Sequence, residues 1–324
     1  MSPACEDGTI RKKVKMKAAL VFSGQGAQKT GMGKDLFESS PAAAEIFREA
    51  NSILGWDLMD VCFNGPDEKL TESRCCQPAI FTVSMAALAA FREKYPHFEP
   101  VGAAGLSLGE YGALCCAGYM SFADGLKTVS RRAELMDDAC RKTPGTMASI
   151  ITDGSVTNDT FKRICAECGI WVANYNNPMQ TVISGGVDGV MKAVEKFKAE
   201  PGVRKVIPLK VAGAFHSGLM SEAGEKLRDV LAPVPVQPPR IPVAQNFTGK
   251  ITEDFQEIKE NLVRQVAGSV QWIGCVKSLS EAGADTFIEF GPGTVLTGLI
   301  RKIDPGKALL NVQSAEDLEK ITIA

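Results

Sequence analysis

Histidine is almost absent from this sequence: its 324 residues include two, His97 and His216. Any chemistry that needs an imidazole near neutral pH is therefore confined to two positions. Charge of one sign is not in excess, with 36 Lys and Arg against 38 Asp and Glu. A net charge of −2 gives no general affinity for nucleic acid or for an acidic membrane, so neither is an expected partner. No stretch approaches the ~20 apolar residues that a membrane-spanning helix needs. The first fifteen residues are polar and basic, and the apolar run 18–22 is too short for a secretion signal. With Glu6 and Asp7 arguing against an organelle transit peptide, the expected compartment is the cytoplasm.

Zinc and redox chemistry also lack their usual signature. Ten cysteines are present, but Cys75/Cys76 and Cys115/Cys116 are adjacent pairs inside apolar, Ala-rich runs, where buried free thiols are the simpler reading. Cys165 and Cys168 form a C-x-x-C with no second cysteine pair or histidine beside it, inside a helical pattern of Phe161, Ile164, Cys165 and Cys168. No metal or redox cofactor is expected. What the chain does have is glycine, 31 residues against a usual share of ~7%, which marks tight turns and close backbone approaches. With 45% hydrophobic and 23% charged residues, the composition excludes a disordered, collagen-like or coiled-coil chain.

Short apolar runs that enter glycine turns and then helical patterns recur along the chain, the rhythm of an α/β protein with a mainly parallel sheet. Residues 18–22 read as a strand entering the turn 23–28, 101–105 as a strand entering 106–110, and 286–290 as a strand entering 291–293. A fourth unit, the β-branched run 204–211, leads into the small-residue turn 212–217 and a helical stretch at 219–231, placing His216 at a strand-to-helix junction. Between about 143 and 208 the texture changes. Strands at 147–151 and 180–184 alternate with amphipathic helices at 156–168 and 189–199, which fits a β-α-β-β-α-β insert. Five prolines within 233–242 predict an extended surface crossover.

Gly105-Leu106-Ser107-Leu108-Gly109 fits G-x-S-x-G between a predicted strand and a predicted helix, the context in which that motif carries weight. A sharp turn lifts the serine Oγ above the sheet edge, and the following helix points its N-terminal N–H groups at a developing oxyanion. A serine nucleophile needs a base, and both histidines are candidates. His97 lies in the loop before the elbow strand, at the opposite end of the sheet; His216 lies at the carboxyl end of a strand, the edge where ligand sites collect. Gly24-Gln25-Gly26 also follows a strand but is no nucleotide fingerprint, because Lys29 stands where a third glycine is needed and Met32 where the Walker motif needs lysine. Its alternative use is to aim backbone N–H groups at an anion, with Gln25 and Leu108 forming an oxyanion hole.

These segments, with Gly213 to Ser217, Val263 to Gln265, Val270 to Trp272 and Glu289 to Gly293, resemble in order the malonyl-CoA:acyl carrier protein transacylases of fatty acid synthesis and the related acyltransferase domains of polyketide synthases. The resemblance runs from about Lys17 to Asn311. It implies a large α/β-hydrolase-like subdomain over 16–142 and 209–324, a small ferredoxin-like subdomain inserted at 143–208, and an N-terminal extension, 1–15, expected to be disordered. Malonyl-CoA and an acyl carrier protein are the implied partners, and a monomer is expected. Ser107 is implied as the nucleophile, His216 as its base, and Gln265 as the residue whose main-chain carbonyl orients that base. Arg132 matches the arginine that pairs with the malonyl carboxylate, with Arg131 as its rival. Gln25 matches the oxyanion residue, and Asn174 and Asn176 a polar strand facing the cleft. Phe215 resembles the malonyl-selective form of its motif, since bulk there leaves little space for an α-methyl branch. Leu106 departs from the family, many of whose members carry histidine there. A serine hydrolase and a non-catalytic carrier-docking module are the competing classes, and methylmalonyl-CoA the competing donor.

Overall fold

A computed structural model describes residues 16–252 and 254–323. The expected extension 1–15 lies outside the described residues. Two sheets organise the chain. The first runs in the order β10-β9-β1-β2 and is parallel throughout: β1 (Ala18–Phe22), β2 (Gly102–Gly105), β9 (Thr286–Phe290) and β10 (Ala308–Val312). β1 has no polar residue because it has no solvated face. Leu20 and Phe22 pack into one core with the helix Ser73–Lys94, whereas Ala19 and Val21 enter a second core with Trp272, Val276 and Phe287. The helix Ser73–Lys94 is the one helix among the described residues long and apolar enough to cross a bilayer, yet 89% of its apolar window is buried inside the protein.

Register then decides where chemistry can happen. Phe22 pairs with both Gly105 and Phe290, so the carboxyl ends of β1, β2 and β9 lie side by side. The Gly24–Gly26 loop, the Ser107 turn and the Gly291–Gly293 loop therefore leave the sheet at a common edge.

The second sheet, antiparallel, has the order β4-β5-β3-β6: β3 (Gly145–Thr152), β4 (Trp171–Asn177), β5 (Gln180–Gly186) and β6 (Val203–Pro208). With the helices Asn158–Glu167 and Val187–Ala199 this is the expected β-α-β-β-α-β arrangement. One sheet face packs on those helices through Ile150, Phe161, Ile164, Val172, Ile183 and Phe197. Cys165 belongs to the same core, so this half of the C-x-x-C is spent on packing. The opposite face looks back at the parallel sheet, where β4 is stitched to the large subdomain by Tyr175 N–H to Val270 O and Val270 N–H to Ala173 O. Residues 244–245 (β7) and 250–251 (β8) close a two-stranded ribbon beside β2.

One expectation needs correction. The run at 204–211 is not a further strand of the parallel sheet: its strand, β6, pairs with β3 in the small sheet and ends at Pro208. His216 therefore reaches the elbow from the junction between the sheets, not from a shared strand edge. Hydropathy alone could not tell the two sheets apart, because a β-branched run suits either.

Candidate active site

The elbow is dictated by close packing. A Cβ on Gly105 would lie 2.0 Å from the Gly109 backbone, and one on Gly109 would lie 2.0 Å from the Phe22 carbonyl oxygen. Only glycine at both positions lets the helix Gly109–Cys116 start directly over the strand end. Between them Ser107 is held at φ 53°, and His216 at φ 56°; among the described residues these are the two non-glycines with positive φ. Strain of this kind persists where the surroundings over-determine it, and it concentrates at functional sites. The turn before His216 is small for a similar reason, since a Cβ on Gly213 would meet Cys140 Sγ at 2.3 Å.

Ser107 Oγ lies 2.7 Å from His216 Nε2, and His216 Nδ1 lies 2.9 Å from the Gln265 carbonyl oxygen. A carbonyl can only accept, so Nδ1 carries the proton and Nε2 presents its lone pair to the serine hydroxyl. Burial, reinforced by the positive charge of Arg132, pulls the His216 pKa down to about 4, so the imidazole stays neutral and able to accept a proton at pH 7. His97 is exposed in the loop before β2 and takes no part in this arrangement.

Arg132 comes from the helix Phe122–Lys142 and is 1% exposed. It donates to Ser107 Oγ at 3.0 Å, to Gln265 Oε1 at 3.1 Å and to Gln77 Oε1 at 2.7 Å, and its Nε has no acceptor. Every one of these acceptors is uncharged. Arg131, its neighbour, points outward and pairs with Glu134 at 2.5 Å on the exposed face.

These groups open into a cavity of about 690 Å³ between the sheets. Asn174 and Asn176 line it from β4, and Phe215 and Leu106 flank the reacting pair. Leu106, with Val295 and Leu299, gives this wall an apolar stretch in place of a second imidazole. The Gly24 loop lies against the elbow so closely that a Cβ on Gly24 would meet the Leu106 carbonyl at 2.6 Å. Among the described residues the backbone N–H groups of Gln25 and Leu108 have no acceptor, whereas that of Ser107 is committed to Asn246 Oδ1 at 2.5 Å.

Three site residues carry no role in the motif reading, although Glu110 stands at the end of the elbow motif. Gln77 bridges Arg132 and the Gln25 side chain, whose Oε1 accepts from Gln77 Nε2 at 3.2 Å; its polarity is hidden within a mostly apolar helix. Asn246 and the carboxylate of Glu110 lie beneath the elbow, both fully buried. A glutamate directly after G-x-S-x-G, on a helix with no other charge, was the available signal.

With the geometry in place, the chain can be set beside known proteins. The acyl transferase domain family matches residues 19–322. The malonyl CoA-acyl carrier protein transacylase of Bacillus subtilis is 39% identical over 305 residues, covering 94% of this chain and 95% of the relative. That of Staphylococcus aureus strain COL is 38% identical over 308 residues, covering 94% and 97%. Among solved structures, the malonyl CoA-acyl carrier protein transacylase of Clostridium perfringens superposes with a TM-score of 0.88 at 36% identity, covering 94% of this chain and 95% of that one. A malonyl-transacylase in complex with a type II polyketide acyl-carrier protein gives 0.88 at 35%, covering 94% and 98%. The chain belongs to the acyl transferase domain family, among the malonyl CoA-acyl carrier protein transacylases.

Proposed function

We propose that this chain transfers the malonyl group from malonyl-CoA to the phosphopantetheine thiol of an acyl carrier protein, in a ping-pong reaction through a malonyl ester on Ser107. The carrying observation is Arg132: a buried guanidinium 3.0 Å from the nucleophile, with uncharged acceptors only. A buried charge whose hydrogen-bond acceptors are all neutral is costly, Glu110 attracting it without touching it, and a substrate carboxylate in the adjoining cavity relieves that cost. The names of the relatives support donor and acceptor alike.

In this reading Ser107 Oγ attacks the thioester carbonyl as His216 Nε2 takes its proton, and the oxyanion is met by the free Gln25 and Leu108 N–H groups. Collapse breaks the C–S bond, and the imidazolium returns the proton to the leaving thiolate. The carrier thiol then gives its proton to the same imidazole and attacks the ester, restoring Ser107. Phe215 crowds the α-carbon and favours malonyl over methylmalonyl, by the ~1–3 kcal/mol that one methyl is worth. Asn174 and Asn176 line the path of the polar substrate. We assign the reaction to fatty acid synthesis in the cytoplasm, by a monomer. The polyketide carrier bound to one structural relative favours, as a second reading, the same transfer in polyketide synthesis.

The test is the ratio of malonyl to acetyl loading on Ser107. Arg132→Ala leaves the malonyl carboxylate unpaired in the cavity, a loss of about 2–5 kcal/mol or roughly 30- to 5,000-fold in malonyl transfer. Acetyl-CoA has no such carboxylate, so its slow reaction holds or rises. Arg132→Lys recovers part of the malonyl rate, since an ammonium cannot form the two-pronged contact. Arg131→Ala leaves the ratio unchanged. An unchanged ratio in Arg132→Ala sinks this recognition mechanism, and a collapse in Arg131→Ala moves it to the neighbour.

A further inference from the structure

Glu110 is a buried carboxylate for which the reaction above has no use. It stands in the first turn of the elbow helix, fully buried, and every neighbour of its two oxygens is a donor. Oε2 accepts from the Asn246 backbone N–H at 2.9 Å and from Gln265 Nε2 at 2.9 Å; Oε1 accepts from Gln245 Nε2 at 2.9 Å. A proton on either oxygen would have no acceptor, so the arrangement fits the ionised form. Burial pushes the carboxyl up to about 7, opposed by these three hydrogen bonds and by Arg132.

The two residues tied to Oε2 both hold Ser107 by its backbone, whose carbonyl also takes the Glu110 backbone N–H at 3.2 Å. Asn246 Oδ1 takes the Ser107 N–H at 2.5 Å, and its Nδ2 donates to the Gly105 carbonyl at 2.8 Å. Gln265 Nε2 donates to the Ser107 carbonyl at 3.0 Å, while Gln265 Oε1 receives Arg132 and the Gln265 main-chain carbonyl receives His216. A single carboxylate oxygen thus anchors the strained serine, the acceptor that orients the base, and the amide that faces the guanidinium. Gln245 fixes the other oxygen and is itself held by Thr252 and Asn261.

We propose that Glu110 is a positioning residue for the serine–histidine pair, holding Ser107 at its positive φ and Gln265 at its distance from His216. The proposal rests on Ser107 as nucleophile. Loss of the carboxylate leaves the reacting atoms present but loosely set, and misplacement by a fraction of an ångström to an ångström costs up to about 100-fold.

Intact mass follows labelling of Ser107 by a fluorophosphonate, which needs the activated serine but neither Arg132 nor coenzyme A, and by malonyl- and acetyl-CoA. In Glu110→Gln, which keeps size and removes charge, all three rates fall together by about 10- to 100-fold, the malonyl KM moves little, and labelling still reaches the wild-type stoichiometry. Three outcomes overturn the proposal: rates within about threefold of wild type; reduced stoichiometry with a wild-type rate in the fraction that labels, which is packing alone; and slowed malonyl loading with normal fluorophosphonate labelling, which confines Glu110 to Arg132. Where Glu110→Gln does not fold, Gln245→Leu carries the test, because it frees Oε1 and keeps the charge; a smaller parallel loss of about threefold or more supports the proposal and none overturns it. Labelling of Ser107→Ala would overturn the nucleophile assignment instead, so the two failures are distinguishable.

Discussion

Ser107→Ala takes up no malonyl mass from malonyl-CoA, and still binds it. The hydroxyl is the atom that would form the ester, so its removal leaves nothing to acylate, and the loss exceeds any factor attributable to weaker binding. The fold should hardly notice. Among the described residues Ser107 Oγ hydrogen-bonds only to His216 Nε2 and Arg132, and the hydrogen bonds that hold the turn use the Ser107 backbone, through Asn246, Gln265 and the Glu110 N–H. The positive φ is unchanged by a serine-to-alanine replacement, so thermal melting should stay within a few degrees of the parent, as for other substitutions without a cavity or an orphaned charge. Arg132 keeps its place and its uncharged acceptors in Gln77 and Gln265, so titration calorimetry should still detect malonyl-CoA. Covalent malonylation of the variant at any other residue would dismiss Ser107. Loss of binding along with labelling would show that the change had damaged the cavity.

What could be seen in the sequence, and what could not, follows from the range of the interactions. The elbow was legible because its requirement is local: two glycines four residues apart and a strand before them. β1 was legible because burial on both faces leaves an unbroken apolar run. The choice between two histidines was not local. The residues alone favoured His216 over His97 only through an expected shared sheet edge, and the bond that ties His216 to Ser107 joins positions 109 apart. Asn246 and Glu110 are separated by 136 residues, and Gln265 and Glu110 by 155, so no spacing rule could have grouped them. The misplaced strand, β6, has a different cause: pairing partners decide which sheet a β-branched run joins, and pairing is invisible to periodicity.

His216→Ala slows both half-reactions, by about 10²- to 10⁴-fold each, because one imidazole must take the proton from Ser107 in the first and from the carrier thiol in the second. The effect is separable from binding. His216 meets the cavity with Nε2 alone, its Nδ1 being turned to the Gln265 carbonyl, so the malonyl KM should change little. His97→Ala, an exposed change, should leave both rates as they are. The acidity of the site gives an independent reading. An ordinary imidazole would titrate near 6.5, but burial and Arg132 hold His216 down to about 4. In Glu110→Gln, which removes the carboxyl that burial pushes up to about 7, the rate of Ser107 loading should therefore hold through pH 6 and fall only as the pH approaches about 4. Stability carries the same sign: the unfolded chain binds a proton at this position between 6.5 and about 4 while the folded chain does not, so folding weakens as the pH falls through that window. In His216→Ala that part of the pH dependence disappears. A loading profile of Glu110→Gln that still breaks near 6.5 would mean that the base is a solvated imidazole, and the buried His216 would lose its assignment.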